Sequence, residues 1–378
     1  MFKTMTALPL MAALAVSVAS GATAETYRFS MWSSDNEGTV IANRQFAEDL
    51  AEATDGEITF DFFSGGSIMP PKAHLQGVAD GVAHAGQVTS GYTPNEVPLT
   101  NSLSGFGFIE PNPTAIGAAF ADWVMNDPAA LKEWTDKNLV PLGGFSTSTY
   151  PLICNTSEPI TEVDQLKGLK VRAYGQIGTL VQDLGGVPVS IPSSEAYQAL
   201  QTGALDCAAL PVSFLTIDNK LVEISKFTTM TEWSPAYTSP QLTLNKDFWQ
   251  GLTDEQRATI LELSARTHAR AQIYYNEAAE RSIREAQELG HQVVEPGESL
   301  KKGLQDWIDA GVGNMAGVAT NTYGVQDPEA LFASFMPYVE KWGALVRGME
   351  NPNDEDALTK LFLDNMYNNI DPATFAMD

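Results

Sequence analysis

The stretch Leu166–Asp206, LKGLKVRAYGQIGTLVQDLGGVPVSIPSSEAYQALQTGALD, contains the pattern that decides the fold. LKVRAY and GVPVSI are β-branched runs that predict strands, and PSSEAYQALQTG predicts a helix that ends at Gly203. Strands that alternate with helices are typical of an α/β domain. Arg172 lies at the junction of a strand and a helix, in a chain that is poor in positive charge. It therefore either pairs with a protein carboxylate or binds an anion from outside.

The same alternation continues on both sides of this stretch. TYRFSMW, EITFDFF and VAHAGQV predict strands separated by helices, which is a βαβαβ unit with parallel strands and right-handed crossovers. After a loop rich in Pro, Asn and Ser and two helical stretches, LVPLGGF, YPLICN and ALDCAAL predict further strands. A second α/β domain is therefore expected to begin near residue 145.

A long helix follows the two predicted domains. It opens with a Thr-x-x-Gln capping box at Thr253 and Gln256 and continues without interruption to Gly290. A helix of roughly 35 residues is about 50 Å long, which is more than the width of one domain, so we expect it to span both domains. The predicted organisation is a first domain at 25–145, completed by part of the segment after 230, a second domain at 146–240, the spanning helix at 250–290 and a helical extension at 320–378.

The helical extension is apolar on one side, where Leu331, Phe335, Val339 and Leu345 recur at helical spacing. This side is expected to pack either on its own protein or on a second copy of the chain. We expect a monomer in preference to a homodimer.

Residues 1–24 have the pattern of a secretory signal peptide. Lys3 precedes the apolar run ALPLMAALAVSVA, and Ala22, Thr23 and Ala24 supply an A-x-A cleavage site, so cleavage is expected after Ala24. The apolar run is too short for a membrane span, and no later segment offers about 20 uninterrupted apolar residues. These features predict an exported, soluble protein.

Composition and charge limit the partners. With 44% hydrophobic and 18% charged residues among 378, the chain has enough apolar material for a large core. Its formal net charge of -25 argues against nucleic acid or an anionic membrane surface as a partner. Such acidity fits a salty habitat or simply an acidic surface, and it repels an anionic ligand at long range.

Two cysteines, Cys154 and Cys207, lie in apolar, strand-like runs. In an oxidising compartment they would form a disulfide that closes a long loop. Buried free thiols are the other interpretation, because unpaired cysteine is often buried. The sequence leaves both open.

The sequence contains none of the common catalytic motifs. G-x-S-x-G, H-E-x-x-H, a P-loop and Cys-x-x-Cys are all absent, and the four histidines are scattered without metal-ligand spacing. We therefore expect no catalytic residues, no metal and no cofactor. Two α/β domains with an export signal favour a binding protein over an enzyme.

Three blocks, EPITEVDQLKGLKVRA, LVQDLGGVPVSIPSSEAYQALQTGALD and LTLNKDFWQGLTDEQRATI, resemble the solute-binding subunits of tripartite ATP-independent periplasmic (TRAP) transporters, of the dicarboxylate-binding DctP type. The resemblance covers roughly Thr26 to Gly290. It implies a periplasmic-binding-protein-like fold, in which two α/β domains joined by hinge strands and a long helix close on a small solute. It also implies a periplasmic location and delivery of the solute to a membrane permease.

The resemblance also implies a site. Arg172 matches the arginine that in this family forms a bidentate pair with the solute carboxylate. The chain departs from the family at other positions. Leu210 replaces an asparagine that helps to orient the carboxylate, Ser193 replaces an aromatic residue, and Leu152 stands where some members carry a second arginine. A dicarboxylate is therefore less expected than a monocarboxylate.

Further candidate ligand-binding residues are mostly aromatic or polar, and they follow predicted strands or lie where the chain crosses between domains: Trp32, Gln87, Thr89, Tyr92, Trp233 and Tyr237. Tryptophan faces hold both methyl and ammonium groups, so the solute is expected to carry an apolar or a cationic end. Two alternatives are a receptor for a small amine or amino alcohol, with Arg172 in a structural pair, and an exported α/β hydrolase.

Overall fold

The structure is a computed structural model that describes residues 25–312 and 314–378. The predicted signal peptide, residues 1–24, lies outside the described residues. Within them, no helix combines the length and apolar character that a membrane span requires.

The described residues form eleven strands. They are β1 (Glu25–Ser30), β2 (Ile58–Phe63), β3 (Ala85–Gly86), β4 (Leu139–Leu142), β5 (Tyr150–Cys154), β6 (Lys170–Arg172), β7 (Val187–Val189), β8 (Cys207–Ala209), β9 (Phe227–Trp233), β10 (Leu242–Asn245) and β11 (Gln292–Val294).

These strands form two sheets. Sheet A has the order β2-β1-β3-β10-β4, and sheet B has the order β11-β9-β5-β8-β6-β7. In sheet A, β1 pairs in parallel with both β2 and β3, as the βαβαβ pattern predicts, whereas β10 is antiparallel to β3 and β4. Sheet A is therefore mixed, because β10, a strand from the segment after residue 230, returns to complete the parallel βαβαβ unit.

Thirteen helices of the described residues surround the sheets. They are α1 (Gly38–Ala53), α2 (His74–Ala79), α3 (Pro98–Ser102), α4 (Pro113–Asn126), α5 (Pro128–Thr135), α6 (Gly175–Asp183), α7 (Ala196–Gln201), α8 (Lys246–Gly251), α9 (Asp254–Glu288), α10 (Glu298–Asp309), α11 (Met315–Asn321), α12 (Pro328–Arg347) and α13 (Glu355–Asn365).

Helix α9 is the predicted long helix and has 35 residues. Thr253 caps its first turn, and Gln256 completes the capping box as the sequence predicts. The helix packs on α1, beside sheet A, and also contacts β11 of sheet B. We call sheet A with its helices lobe I and sheet B with its helices lobe II, so α9 contacts both lobes.

The chain passes between the lobes in two adjacent segments. The first crossing, residues 143–149, joins β4 to β5, and the second crossing, residues 234–241, joins β9 to β10. The two crossings are hydrogen bonded to each other: the Thr147 N–H donates to the Ala236 carbonyl at 3.0 Å, and the Ala236 N–H donates to Thr147 Oγ1 at 3.0 Å. The lobes are thus tied together at one place beside the long helix.

Cys154 and Cys207 form a disulfide across the antiparallel pair of β5 and β8. The two positions face each other with Cα atoms 4.1 Å apart. Of the two interpretations that the sequence left open, the structure therefore has the disulfide and not the free thiols. The bond closes a loop of 53 residues, which in the chain-entropy account stabilises the fold by about 4 kcal/mol. Cys207 also pairs with Val171, the neighbour of Arg172, so the bond lies close to that arginine.

The C-terminal extension packs on its own chain. Leu331, Phe335, Val339 and Trp342 on α12 are buried, and α12 runs along α4 of lobe I. The Trp123 indole N–H on α4 donates to Ser334 Oγ at 3.1 Å. Lobe I therefore includes this extension in its hydrophobic core.

We expect Phe335→Ala to destabilise the protein by about 3–5 kcal/mol, because it removes a fully buried ring that contacts Phe106 and Trp123. Chemical denaturation measures the loss. Glu340→Ala, at an exposed position of the same helix, is the control and should change stability little. Equal effects of the two substitutions would contradict packing of α12 into the core.

Candidate functional site

A cavity of about 460 Å³, counting its open mouth, lies where the two lobes and the two crossings meet. Its walls follow the carboxyl ends of strands. Trp32 comes just after β1, Arg172 is the last residue of β6, and Leu210 comes just after β8. Ligands of open α/β sheets bind at this edge, because the loops that follow the strands converge there.

Arg172 is a buried cation with only 1% of its surface exposed. Its Nε donates to the Ile191 carbonyl at 3.0 Å, and its Nη1 donates to the Ala209 carbonyl at 3.2 Å. The guanidinium also lies over the ring of Tyr174, 4.9 Å from the ring centre. Among the residues that the structure describes, Arg172 has no carboxylate within ion-pair distance.

The turn after Arg172 is made by Gly175, whose φ of 55° is in the left-handed region that favours glycine. The chain can therefore leave β6 and begin α6 at once. The Tyr-Gly turn noted in the sequence thus keeps Arg172 and Tyr174 at the edge of sheet B, where both line the cavity.

Tyr92 and Ser193 join the lobes across the cavity. The Ser193 N–H donates to the Tyr92 hydroxyl at 3.0 Å, and the two side-chain hydroxyls are 3.2 Å apart. Burial raises the pKa of Tyr92, so its phenol keeps the proton at neutral pH. Since Tyr92 belongs to lobe I and Ser193 to lobe II, this contact links the lobes directly at the cavity.

Three other predicted residues of lobe I form one wall. Trp32 donates from its indole N–H to Thr89 Oγ1 at 3.2 Å, and its ring contacts Tyr92 edge to face at 5.3 Å. Gln87 accepts from the Ser33 N–H at 3.3 Å and donates to Thr39 Oγ1 at 3.2 Å. Its amide therefore fixes the loop between β1 and α1.

The structure brings eight of the nine predicted residues to the cavity and leaves one out. Leu210 and Tyr237 line it, although the Tyr237 hydroxyl donates to the Leu103 carbonyl and so offers the solute only its ring. Trp233 does not line this cavity. Trp233 ends β9 before the second crossing begins, and its indole packs in the core of lobe II beside Phe108 and lines a separate groove.

Glu37 is the cavity residue of most chemical interest that the sequence did not reveal. It is 5% exposed, and one oxygen of its carboxyl accepts from the Tyr275 hydroxyl at 2.9 Å. Burial, followed by the nearby charge of Asp218, raises the pKa of Glu37 to about 8. An acid between the first strand and the first helix was the signal that could have identified it.

Five aromatic residues of the cavity were also missed: Phe145, Tyr150, Tyr174, Phe214 and Tyr275. Tyr174 could have been suspected from its place beside Arg172. The others come from the first crossing, from the start of β5, from the segment after β8 and from α9, and no local pattern marks them. The described residues contain no group of three or more His, Cys, Asp or Glu side chains suited to a metal ion.

A cavity enclosed between two α/β lobes, with a buried cation and aromatic walls, defines a solute-binding receptor. The chain belongs to the bacterial extracellular solute-binding protein family 7, whose family model, DctP, matches residues 29–315. This match confirms the resemblance to TRAP solute-binding proteins that the sequence blocks showed. The family and the fold are those of receptors and not of enzymes, so the hydrolase alternative is set aside.

Known proteins of this kind cover most of the chain. A solute-binding protein of Albidiferax ferrireducens is 25% identical over 290 residues, which are 72% of this chain and 81% of that protein. A TRAP solute-binding protein of Rhodoferax ferrireducens, solved in complex with copurified benzoate, is 20% identical in sequence and superposes with a TM-score of 0.71. The superposition covers 85% of this chain and 99% of that protein's chain.

A third known protein is a Bordetella pertussis extracytoplasmic solute receptor that binds pyroglutamic acid. It is 21% identical in sequence and superposes with a TM-score of 0.69, and the superposition covers 83% of this chain and 100% of that receptor's chain. Together with the Rhodoferax structure, it confirms the two-domain α/β fold.

The buried Glu37 predicts a pH dependence of stability. Its pKa is higher in the folded protein than in the unfolded chain, so the folded state binds more protons between about pH 4.5 and about pH 8. The free energy of unfolding therefore decreases as the pH rises through this window. Asp218, whose pKa burial also raises, adds to the same slope. In Glu37→Gln, the free energy of unfolding should decrease across this window by at least about 1.4 kcal/mol less than in the wild type. This amount corresponds to a pKa shift of one unit.

Urea unfolding at the two ends of this pH window measures the effect. Glu48→Gln, an exposed position on the same helix α1, is the matched control and should keep the wild-type slope. If Glu37→Gln and Glu48→Gln gave the same slope as the wild type, the carboxyl of Glu37 would titrate normally and the prediction would be wrong.

Proposed function

We propose that this TRAP-type extracytoplasmic solute-binding receptor captures a small monocarboxylate in the cavity between its lobes and delivers it to membrane permease subunits. In this proposal, the protein is exported, loses its signal peptide after Ala24 and works in the periplasm.

The observation that carries this proposal is the burial of Arg172 without a carboxylate partner in the described chain. Burying an unpaired charge costs several kcal/mol, so the protein needs an anion at this place. Two backbone carbonyls fix the guanidinium and leave its other N–H groups for that anion. A carboxylate matches the planar fork, and each charge-assisted hydrogen bond is worth about 1.5–3 kcal/mol.

Two features favour one carboxylate over two. Arg172 is the only Lys or Arg among the described residues that line the cavity, and Leu210, which is 1% exposed, forms an apolar part of its wall. A dicarboxylate would leave its second charge in the cavity without a cation. Benzoate and pyroglutamic acid, the solutes named for two proteins of the same fold, each carry one carboxylate.

A receptor for a small amine is the second candidate, and Glu37 favours it because a buried acid lines the same cavity. In that case Arg172 would have a structural role at the ends of β6, β7 and β8. The effect of substituting Arg172 on the binding of acids separates the two candidates.

We expect Arg172→Lys to weaken the binding of benzoate and pyroglutamate at least about tenfold, because an ammonium cannot reproduce the two parallel hydrogen bonds of a guanidinium. Isothermal titration calorimetry measures the affinities. Arg284→Lys, an exposed position on α9, is the control and should bind as the wild type does. Unchanged affinity in Arg172→Lys would assign this residue a structural role, and a wild-type protein that binds neither acid would contradict the proposal for these acids.

We also expect malate to bind more weakly than monoacids that carry a small apolar group, and Leu210→Asn to narrow this difference. Each methylene of the ligand that is buried against an apolar wall contributes about 0.8 kcal/mol to the binding free energy. An asparagine at this position would instead form hydrogen bonds with polar groups of the ligand. Competition against one reference ligand measures the difference. If malate or succinate were the tightest ligand of the wild-type protein, Leu210 would not set the preference.

A further inference from the structure

Glu37 occupies the position before the first turn of α1, but its side chain does not cap the helix. A carboxylate at this position usually accepts from a free N–H group of the first turn. In this protein the carboxyl instead accepts from the Tyr275 hydroxyl on α9 and lines the cavity. The positive end of the helix dipole still favours a negative charge at this place.

No cation of the described chain pairs with this carboxyl. None of the ion pairs of the described residues involves Glu37, and Arg172, which lines the same cavity, does not form one with it. The cavity therefore presents one cation from lobe II and one acid from lobe I, and each lacks a partner of opposite charge.

Asp218 of lobe II adds a second buried acid near Glu37. Its carboxyl accepts from Ser213 Oγ at 2.6 Å and is 3.5 Å from the Tyr274 hydroxyl, while Arg281 lies close enough to favour its ionised form. The charge of Asp218 opposes ionisation of Glu37. A cation bound at Glu37 would reduce the repulsion between these two acids.

Aromatic rings line the part of the cavity near Glu37. Tyr275, which donates to the carboxyl, stacks on Phe145 with ring centres 5.5 Å apart and an angle of 14° between the planes. Trp32, in the loop that leads to Glu37, also lines the cavity. Aromatic faces attract organic cations and pack well against their carbon skeleton.

We propose that the solute is a small zwitterion, whose carboxylate binds Arg172 and whose cationic nitrogen donates an N–H hydrogen bond to Glu37. This inference rests on the proposed function, since it keeps the carboxylate at Arg172 and adds a second recognition group. It assigns Glu37 the role of a specificity-determining residue that selects amino acids over simple monocarboxylates.

The charge of the whole protein supports a neutral solute. A formal net charge of -25 repels a free anion during its approach, whereas a zwitterion carries no net charge to be repelled. Inside the cavity the carboxylate of the zwitterion pairs with Arg172, and its cationic end favours the ionised form of Glu37 and pairs with it. A simple monocarboxylate would neutralise Arg172 and leave Glu37 buried without a cation.

The experiment compares zwitterions with their deaminated analogues. Proline is paired with cyclopentanecarboxylate, β-alanine with propionate and γ-aminobutyrate with butyrate, and lactate is added as a hydroxy acid. Calorimetry gives the affinity of each probe for the full mature chain. In the wild type, at least one zwitterion should bind about tenfold or more tightly than its analogue, which corresponds to about 1.4 kcal/mol.

Glu37→Gln should reduce this ratio about tenfold or more, because an amide cannot become the carboxylate that pairs with the nitrogen, whereas Glu37 can give up its proton when a cation binds. Glu48→Gln, on the exposed side of α1, should keep the wild-type ratio. Thermal unfolding without probe checks that both variants fold. Arg172→Met should weaken both members of each pair.

Each other outcome overturns a stated part. The zwitterion proposal is wrong if the simple acids bind as well as the zwitterions, if no zwitterion binds, or if Glu37→Gln weakens both members of a pair equally. In each of these cases the proposed function still stands if Arg172→Met weakens the binding of the acids. If the affinity for lactate exceeds that for propionate by as much as the affinity for each zwitterion exceeds that for its analogue, Glu37 acts as a neutral hydrogen-bonding group. The proposal is then also wrong. If Arg172→Met weakens neither member, the proposed function itself fails.

Discussion

The Arg172 guanidinium is buried among backbone carbonyls at the end of β6, and the arrangement of lobe II serves to hold it there. The ends of β7 and β8 supply the carbonyls of Ile191 and Ala209, which fix the plane of the side chain. Tyr174 covers one face of the guanidinium. Because carbonyls carry only partial charge, they orient the cation without neutralising it, which is why we propose an anion as its partner.

The cavity exists only because two lobes share it. The crossings bind each other through Thr147 and Ala236, and α9 contacts both lobes, so the lobes are tied at one side and can meet at the other. Across the cavity, the Ser193 N–H of lobe II donates to the Tyr92 hydroxyl of lobe I. A solute between the lobes would contact residues of both, and its binding energy would favour the closed arrangement.

The acids of this protein have different roles according to where they lie. Most contribute to a strongly negative surface, where water and salt screen them. Glu37 and Asp218 are buried, and burial raises the pKa of both. Burying two acids near each other costs free energy of folding, and a cost of this kind is typical of sites where the ligand supplies the missing charge.

The sequence by itself determined the local elements. The βαβαβ order, the capping box of α9 and the strand that ends in Arg172 follow from patterns within a few residues, and the structure has them close to the predicted bounds. The apolar spacing of Leu331, Phe335 and Val339 likewise predicted the buried side of α12. Such features could be predicted because hydrophobic period, capping residues and turn glycines act on neighbouring residues.

Only the tertiary structure decided which distant residues meet. It placed β10 antiparallel within sheet A, paired Cys154 with Cys207, turned Trp233 into the core of lobe II and brought Glu37 to the cavity with Tyr275. These contacts join residues far apart in the chain, and no local pattern encodes them. They depend on how the crossings and α9 orient the two lobes, because side chains from separate elements converge only after those elements have packed.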